Sequence, residues 1–451
     1  MSKAPSSASK VLENTLRKSQ AVHHVAIGAD ALQQVPELLS RYYDQQEVLI
    51  VADENTMAAA GNTLLEALPP DNFLINTHIF SGTPQVKSAV ETASQLLPML
   101  DNRAVLPIAV GSGVINDLVK WAAFQKDRPY LSIATAASMD GYASAGAPLS
   151  QDGFKHTIGC RAPRVIVGDL GVLAAAPPEM AAWGYGDLAG KVAAGADWII
   201  ADALEVEAID YSVWPLVQDN LTDWLADPSG VAGGNEFAIN HLFNGLVVSS
   251  IAMELHQSSR PASGADHQIA HLFEMDNCAV AGIPLSHGTC VTIGTITVLA
   301  LYEWLLSNDL TQIDVDELCT NRITLAHLEE EIEAAFGAST SAERARREVH
   351  AKYADNKTIK KRLLLIKHNW PDIKKRLHDF LAPYRDLEIK LRHAGLVTEL
   401  TPLGLSSNYV RRSIYRARLI RRRYTILDTL METALFDQAT ARLFSSAGRW
   451  K

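Results

Sequence analysis

Apolar positions divide the chain into two regimes. From about residue 21 to about residue 180, short β-branched runs (VLIVAD, VLPIAVG, LSIAT, RVIVGD) alternate with stretches of helical character such as TMAAAGNTLLEAL and PQVKSAVETASQLLPML. Continuous apolar runs suit strands covered on both faces, and their alternation with helices predicts βαβ units and a parallel sheet. Beyond about residue 180 the strand-like runs stop. Apolar residues there recur at intervals of three and four, which predicts an all-α second domain. Breaks near Pro215, Pro228-Ser229-Gly230 and Gly282-Ile283-Pro284 separate its helices. The expected division is a polar N-terminal arm over 1–20, an α/β domain over 21–180 and a helical domain over 181–451. The site is expected in the cleft between the two domains.

Composition narrows the function. With 451 residues, 47% hydrophobic and 20% charged, the chain is long enough for two ordinary domains with a substantial core. A net charge of −10 argues against general affinity for nucleic acid or an anionic membrane surface. Cys160, Cys278, Cys290 and Cys319 are widely spaced and form no CxxC pair, so neither a disulfide framework nor a thiolate zinc site is expected, and a cytoplasmic location is the simplest expectation. The opening MSKAPSSASKVLENTLRKSQ lacks the apolar core of a secretory signal. Val291 to Leu306 is the most apolar stretch, but Thr292, Thr295, Thr297 and Glu303 mark it as a buried helix rather than a membrane span. The C-terminal extension from about residue 340 is strongly charged, with clusters at Lys360-Lys361-Arg362 and Arg421-Arg422-Arg423. These are the solvated faces of surface helices, or one or two of the arginines contact a phosphate or another subunit.

Two segments carry the marks of a dinucleotide site. VLPIAVGSGVINDLVKWAA reads as strand, tight turn and helix, with Gly111 and Gly113 flanking Ser112. The unsatisfied N–H groups and dipole at such a helix N-terminus favour a pyrophosphate. Asn116 departs from a GxGxxG pattern, and a plain strand–helix connection would use the same glycines. SIATAASMDGYAS follows the next strand and puts Thr135, Ala136, Ala137 and Ser138 at its C-terminal end, where ligands of open α/β sheets bind. Asp140 and Ser144 face the same region. Asp53 ends an earlier strand; it either accepts bonds from a ribose hydroxyl, repelling a 2′-phosphate, or caps the next helix.

Asp187 in GYGDLAGK, His267 in SGADHQIAH and His287 in LSHGTC supply one carboxylate and two imidazoles. Three such donors suffice for a catalytic divalent metal with an open coordination position. Asp187 is expected in the first turn of a helix, where an acidic residue also simply complements the dipole. Lys191, four residues on, shares its face and either pairs with Asp187 or reaches a substrate anion. His267 and His271 share a helix face one turn apart. Each residue alone has a commoner, purely structural explanation.

Taken together, VGSGVINDLVK, TAASMDGYAS, GYGDLAGK, SGADHQIAH and SHGTCVTIGT resemble the sn-glycerol-1-phosphate dehydrogenase family, within the dehydroquinate synthase-like and iron-containing alcohol dehydrogenase superfamily. The resemblance runs from about residue 20 to about residue 310, with an echo at RRRYTILD. It implies a Rossmann-like N-terminal domain and an all-α metal-binding domain. It implies reversible NAD(P)H-dependent reduction of dihydroxyacetone phosphate, a small phosphorylated triose, with one divalent metal, zinc first and nickel or iron next. Carried over by motif, the cofactor meets Asp53, Gly111, Ser112, Gly113, Val114, Ile115, Thr135, Ala136, Ala137, Ser138 and Ser144. Substrate meets Asp140, Asp187 and His271, and the metal is held by Asp187, His267 and His287. The chain departs from many members at Ala137, where they have proline, and at Asp266, where they have glutamate. Iron-type relatives place a histidine where Lys191 stands, which favours a three-ligand, zinc-like site. Lys155 and Lys191 are candidates for the substrate phosphate. A polyol dehydrogenase and a dehydroquinate synthase-like lyase are the alternatives, and a homo-oligomer is expected.

Overall fold

The apolar runs of the N-terminal half become six parallel strands: β1 (His24–Gly28), β2 (Glu47–Asp53), β3 (Leu74–Phe80), β4 (Val105–Gly111), β5 (Leu131–Ala134) and, after the antiparallel hairpin of β6 (Gly146–Gln151) and β7 (Phe154–Gly159), β8 (Val165–Asp169). Their order across the sheet is β1-β8-β5-β4-β2-β3. In this computed structural model, residues 7–151 and 154–451 are described. The two-residue period of a strand explains why the runs are apolar throughout. Val48, Ile50 and Ala52 of β2 join Leu106, Ile108 and Val110 of β4 in one buried cluster, while Leu49 and Val51 join Val105 and Ala109 in a second, on the opposite face. The register aligns Asp53 with Phe80 and Gly111 with Ala134, so the C-terminal ends of four strands sit side by side.

Contacts divide the chain into two units, each drawn from several segments. One comprises Met1–Leu188, Pro215–Ser259 and His393–Leu396; the other comprises Ala189–Trp214, Arg260–Arg392 and Val397–Lys451. In the first, helix α1 (Ser7–Leu16), falling within the expected arm, packs Leu12 and Thr15 into the interior. Its exit is tied down by Ser19, whose hydroxyl donates to Glu254 on helix α4 (Glu236–His256). Between these lie α2 (Gly113–Gln125), which follows β4, and α3 (Pro178–Ala203). Helix α3 is counted with the first unit to Leu188 and with the second thereafter.

The second unit is helical, as its three-and-four periodicity implies. Helices α5 (Ala265–Met275) and α6 (His287–Leu306) pack against each other, joined by a small hairpin that pairs Ala279–Val280 with Ile283–Pro284. That hairpin corrects the expectation that strands stop after residue 180. Farther along the chain, among other helices, lie α7 (Thr340–Lys352), α8 (Asn356–Phe380), α9 (Ser407–Ala417) and α10 (Ile426–Glu432). Helix α6 is the one helix among the described residues long and apolar enough to cross a membrane, yet 78% of its most apolar window is buried inside the protein. Two of its threonines are satisfied within the helix: Thr292 and Thr297 donate to the carbonyls of Gly288 and Ile293, and Trp450 Nε1 donates to Thr297 Oγ1 at 3.0 Å, whereas the buried Thr295 hydroxyl has no hydrogen-bond partner among the described residues.

A second correction concerns PQVKSAVETASQLLPML. Only Val90–Ser94 forms an α-helix there, followed by a short 3₁₀ turn over Pro98–Leu100. Ala89 instead bridges to Ser150 of β6. Apolar spacing marked the buried face correctly but could not register this competing backbone pairing.

Candidate active site

The turn between β4 and α2 places Gly111, Ser112, Gly113, Val114 and Ile115 at the C-terminal edge of the sheet. A Cβ at Gly111 would come within 2.6 Å of Ile115 Cβ, so the tight turn itself requires that glycine. Ser112 holds the N-cap position without a side-chain cap, leaving the first-turn N–H groups of α2 uncapped by it. Thr135, at the end of β5, donates its N–H to the Gly111 carbonyl at 3.3 Å. Ala136, Ala137 and Ser138 follow as a buried segment, and Tyr142 closes on it by donating its hydroxyl to the Ala136 carbonyl at 2.6 Å. Asp53 caps the helix after β2: its Oδ1 accepts from the Thr56 N–H at 2.8 Å, and its own N–H donates to Thr56 Oγ1 at 3.0 Å.

Lys120, which sequence reasoning passed over, holds this region together. Fully buried, its ammonium donates to Asp117 at 3.1 Å, to the carbonyls of Gly141 and Gly146 at 2.8 and 3.0 Å, and to Ser144 Oγ at 3.1 Å. Ser144 also donates to its own loop's carbonyls, so its hydroxyl shapes the loop. The available signal was a charged pair at i and i+3 inside the otherwise apolar VINDLVKWAA. Lys155 belongs to β7, and its side chain lies outside the described residues.

Asp187 is the clearest positional correction. It lies well inside α3, not in its first turn, and is wholly buried. The glycines around it are interior helix positions of close approach. A Cβ at Gly184 would sit 1.9 Å from the Ala137 carbonyl oxygen, and one at Gly190 would meet Asp266 Oδ2 at 2.7 Å and His267 Cε1 at 3.3 Å. Asp187 Oδ2 accepts the Asp140 N–H at 2.9 Å, and Asp140 Oδ2 accepts from Ser249 at 3.4 Å. Lys191, one turn after Asp187 on α3, is also fully buried.

Helices α5 and α6 bring three imidazoles together, with ring centroids of His267, His271 and His287 between 5.4 and 6.1 Å apart. His287 is the first residue of α6, whose N-cap Ser286 accepts from the Thr289 N–H at 3.2 Å. Each ring has a carboxylate at Nδ1: Asp266 lies 2.6 Å from His267, while Glu274 lies 3.0 Å from His271 and 3.2 Å from His287. Glu274 was missed in the sequence although it continues the face of His267 and His271 at i+7 and i+3. Burial pushes the His271 pKa down to about 4, against an opposing contribution from Glu274, with Arg421 and His287 lowering it further.

The ligand atoms of Asp187, His267 and His287 lie within 4.8 Å of one another, and so do those of His271, Glu274 and His287. Hydrogen bonding discriminates between these sets. Metal-binding histidines usually donate their second ring N–H to a carboxylate, which fixes the tautomer and aims the other nitrogen at the ion. Asp266 and Glu274 occupy that second position for His267 and His287. Glu274 therefore suits an orienting partner, and Asp187, His267 and His287 suit the ligands. One carboxylate and two imidazoles fit zinc or a similar divalent ion.

Residues 26–177 match the model of the iron-containing alcohol dehydrogenase family. The chain is 33% identical over 303 residues to glycerol-1-phosphate dehydrogenase [NAD(P)+] of Bacillus velezensis, covering 66% of this chain and 76% of that one. It is also 33% identical over 285 residues to the enzyme of the same name from Methanothrix thermoacetophila, covering 62% and 77%. Among solved structures, a probable glycerol dehydrogenase from Sinorhizobium meliloti superposes with a TM-score of 0.58 at 14% identity, over 94% of this chain and 98% of that one. Sulfoacetaldehyde reductase from Bifidobacterium kashiwanohense, in complex with NAD+, superposes with a TM-score of 0.55 at 15% identity, over 93% and 98%. These structural likenesses show the fold.

Proposed function

Because the chain belongs to the glycerol-1-phosphate dehydrogenase family, a group of NAD(P)-dependent oxidoreductases within the iron-containing alcohol dehydrogenase superfamily, we propose that it reversibly reduces dihydroxyacetone phosphate to sn-glycerol 1-phosphate with a divalent metal, zinc first. The observation that carries this is the donor set of Asp187, His267 and His287, whose ligand atoms lie within 4.8 Å of one another and whose two rings are backed by carboxylates.

Bound there, a divalent ion supplies Lewis-acid polarisation of the ketone, and the nicotinamide supplies the hydride. The protein's own groups do the rest. The uncapped start of α2, with Gly111, Ser112, Gly113, Val114 and Ile115, receives the pyrophosphate, and Thr135, Ala136, Ala137, Ser138 and Ser144 line its path. The Asp53 carboxylate retains its Thr56 cap bond while its charge faces the ribose and disfavours a 2′-phosphate. The Asp140 N–H holds the Asp187 carboxylate in place, and Asp140 itself borders the substrate. Lys191, buried one turn from Asp187, provides a fixed positive charge beside it. His271 is neutral near pH 7 with its pKa lowered to about 4, so it hydrogen-bonds the substrate and relays a proton backed by Glu274, without standing as a cation.

The test is NADH oxidation by the zinc-loaded protein with dihydroxyacetone phosphate, before and after chelation, followed by chiral analysis of the product. Chelator-sensitive turnover that yields the sn-1 ester is expected, together with loss of bound zinc in His267→Ala. Undiminished turnover in a metal-free preparation, or net formation of the sn-3 ester, would overturn the proposal.

A further inference from the structure

Asp197 lies on α3 within the helical unit, wholly buried, and accepts hydrogen bonds from three other segments of that unit. Its Oδ2 accepts the Ala265 N–H at 2.7 Å. Its Oδ1 accepts the Tyr302 hydroxyl at 2.6 Å and the Ile426 N–H at 2.8 Å. Ala265 is the first residue of α5 and Ile426 the first of α10, so one carboxylate satisfies a first-turn N–H of two helices and meets the positive end of both dipoles. Helix α5 depends on this outside acceptor, because its N-cap is Gly264 and makes no side-chain cap bond. A Cβ at Gly264 would meet Asp197 Oδ2 at 2.5 Å, so glycine there lets the helix start press onto the carboxylate. Burial raises the Asp197 pKa to about 6, against Tyr302, Ala265, Arg260 and Ile426, so near pH 7 the group is a carboxylate that only accepts.

These bonds fix how α5 and α6 lie along each other. Glu274, near the end of α5, bonds His287 at the start of α6. Farther along α6, a Cβ at Gly294 would sit 2.2 Å from the Asp266 carbonyl oxygen, and Tyr302 meets Ala265 through Asp197. The two helices therefore run antiparallel, and a slide of one along the other alters the 5.4 Å between the His267 and His287 rings. Asp197 bonds both helices at the end away from His287 and resists that slide. Fully buried Arg260 ties the same junction, donating to the Asp197 carbonyl at 2.8 Å and to the Tyr424 carbonyl at 2.9 Å. Arg423 also faces it and donates to the Ser263 carbonyl, whereas its exposed neighbour Arg422 pairs with Glu348 of α7. Among the described residues Asp197 bonds none of Asp187, His267 and His287, so its effect on a metal passes through the helices.

We propose that Asp197 is a positioning residue of the metal site: by capping α5 while holding Tyr302, it sets the register that brings His267 and His287 to one ion. This role rests on the donor set proposed above. Metal–ligand distances tolerate errors of only roughly 0.2 Å, so a slide well under the length of one residue is enough to loosen an ion held by a histidine from each helix. A carboxylate with a purely architectural role would support stability and leave the affinity for the ion alone.

The experiment measures zinc affinity of the full chain by chelator competition, well below every melting transition, in wild type, Asp197→Asn, Tyr302→Phe and Tyr43→Phe. The amide of Asp197→Asn has one acceptor oxygen, so its NH2 must face the N–H of Ala265 or of Ile426. Tyr302→Phe removes only the tie to α6. Tyr43→Phe removes a buried bond of the same kind in the α/β unit, where the Tyr43 hydroxyl donates to the Tyr130 carbonyl at 2.8 Å, and is the control for lost stability. Zinc affinity is expected to fall roughly 10-fold in Asp197→Asn and about 3-fold in Tyr302→Phe, and to keep its wild-type value in Tyr43→Phe. The visible absorption of the cobalt-loaded protein, which follows ligand geometry, is expected to change in the first two variants only. Wild-type zinc affinity in folded Asp197→Asn overturns the positioning role, and so does a loss in Tyr43→Phe equal to that in Tyr302→Phe. If Asp197→Asn does not fold, the comparison of Tyr302→Phe with Tyr43→Phe decides alone. A wild-type chain that binds neither zinc nor cobalt overturns the donor set and this role with it. Tight binding that no variant alters overturns the role and leaves the donor set standing.

Discussion

Nδ1 of His267 and Oδ2 of Asp266 stand 2.6 Å apart in the interior, the ring 5% exposed and the carboxylate fully buried. With Nδ1–H donated to Asp266, only Nε2 of His267 is left to serve as a ligand atom. Asp266→Asn keeps the size of the side chain but offers an amide where the imidazole needs an acceptor. Zinc affinity is expected to fall roughly 10- to 100-fold, the usual consequence of losing such an orienting partner. Competition against a chromogenic chelator measures it. Wild-type affinity in that variant would show that packing alone aims the ring.

Gly184→Ala sets two effects against each other. Alanine favours an interior helical position over glycine by up to about 1 kcal/mol. Its methyl would also sit 1.9 Å from the Ala137 carbonyl oxygen, a backbone atom with no rotamer to escape into. The clash wins, and a net loss of about 3 kcal/mol is expected, at the upper end of overpacking costs. Denaturant unfolding reads the change, and equal or greater stability would contradict the helix-to-loop approach.

Acid sensitivity of the metal-free protein follows from His271. Its folded pKa is lowered from the ordinary 6.5 to about 4, mainly by burial. Between those values the unfolded chain binds more protons than the folded one, so stability rises with pH across that window. The contribution is fully present above about 6.5 and is lost as pH falls through about 4. Melting temperatures recorded from pH 4 to pH 7 should show a shallower acid-side slope in His271→Gln than in wild type. Parallel slopes would refute the assignment.

Asp53→Asn separates two roles of one side chain. Asparagine caps a helix about as well as aspartate, so the bond to the Thr56 N–H at 2.8 Å can persist and stability is expected to change by less than about 0.5 kcal/mol. The negative charge is gone, so the ratio of kcat/KM for NADPH to that for NADH should rise on the order of 10-fold, the effect of about 1.4 kcal/mol. A destabilised variant with unchanged cofactor preference would leave Asp53 a cap and nothing more.

Local chemistry was legible in the sequence where periodicity or motif spelling expressed it. The strands VLIVAD and VLPIAVG declared their double burial through unbroken apolar runs, and the helix bearing His267 and His271 showed through its four-residue spacing. The position of Asp187 deep inside its helix was not legible, because a glycine can either bound a helix or let it press against a carbonyl, as Gly184 does at Ala137, and only the neighbouring chain distinguishes the two. Glu274 and Lys120 escaped notice because part of what they bond, His287 for one and Gly141, Ser144 and Gly146 for the other, lies on other elements. The arginines at 421 to 423 look alike in sequence and separate only through Glu348 and Ser263, both far from them along the chain.

The bond from Trp450 to Thr297 spans 153 residues. During synthesis, the ribosome therefore releases the most apolar helix of the protein, His287–Leu306, long before the indole that covers part of it exists. Helix α5, made earlier, packs along that helix, so what waits for the indole is the part of its surface around Thr297. A chain cut before Trp450 would therefore leave Thr297 without that donor and uncover the apolar surface on which the buried indole rests.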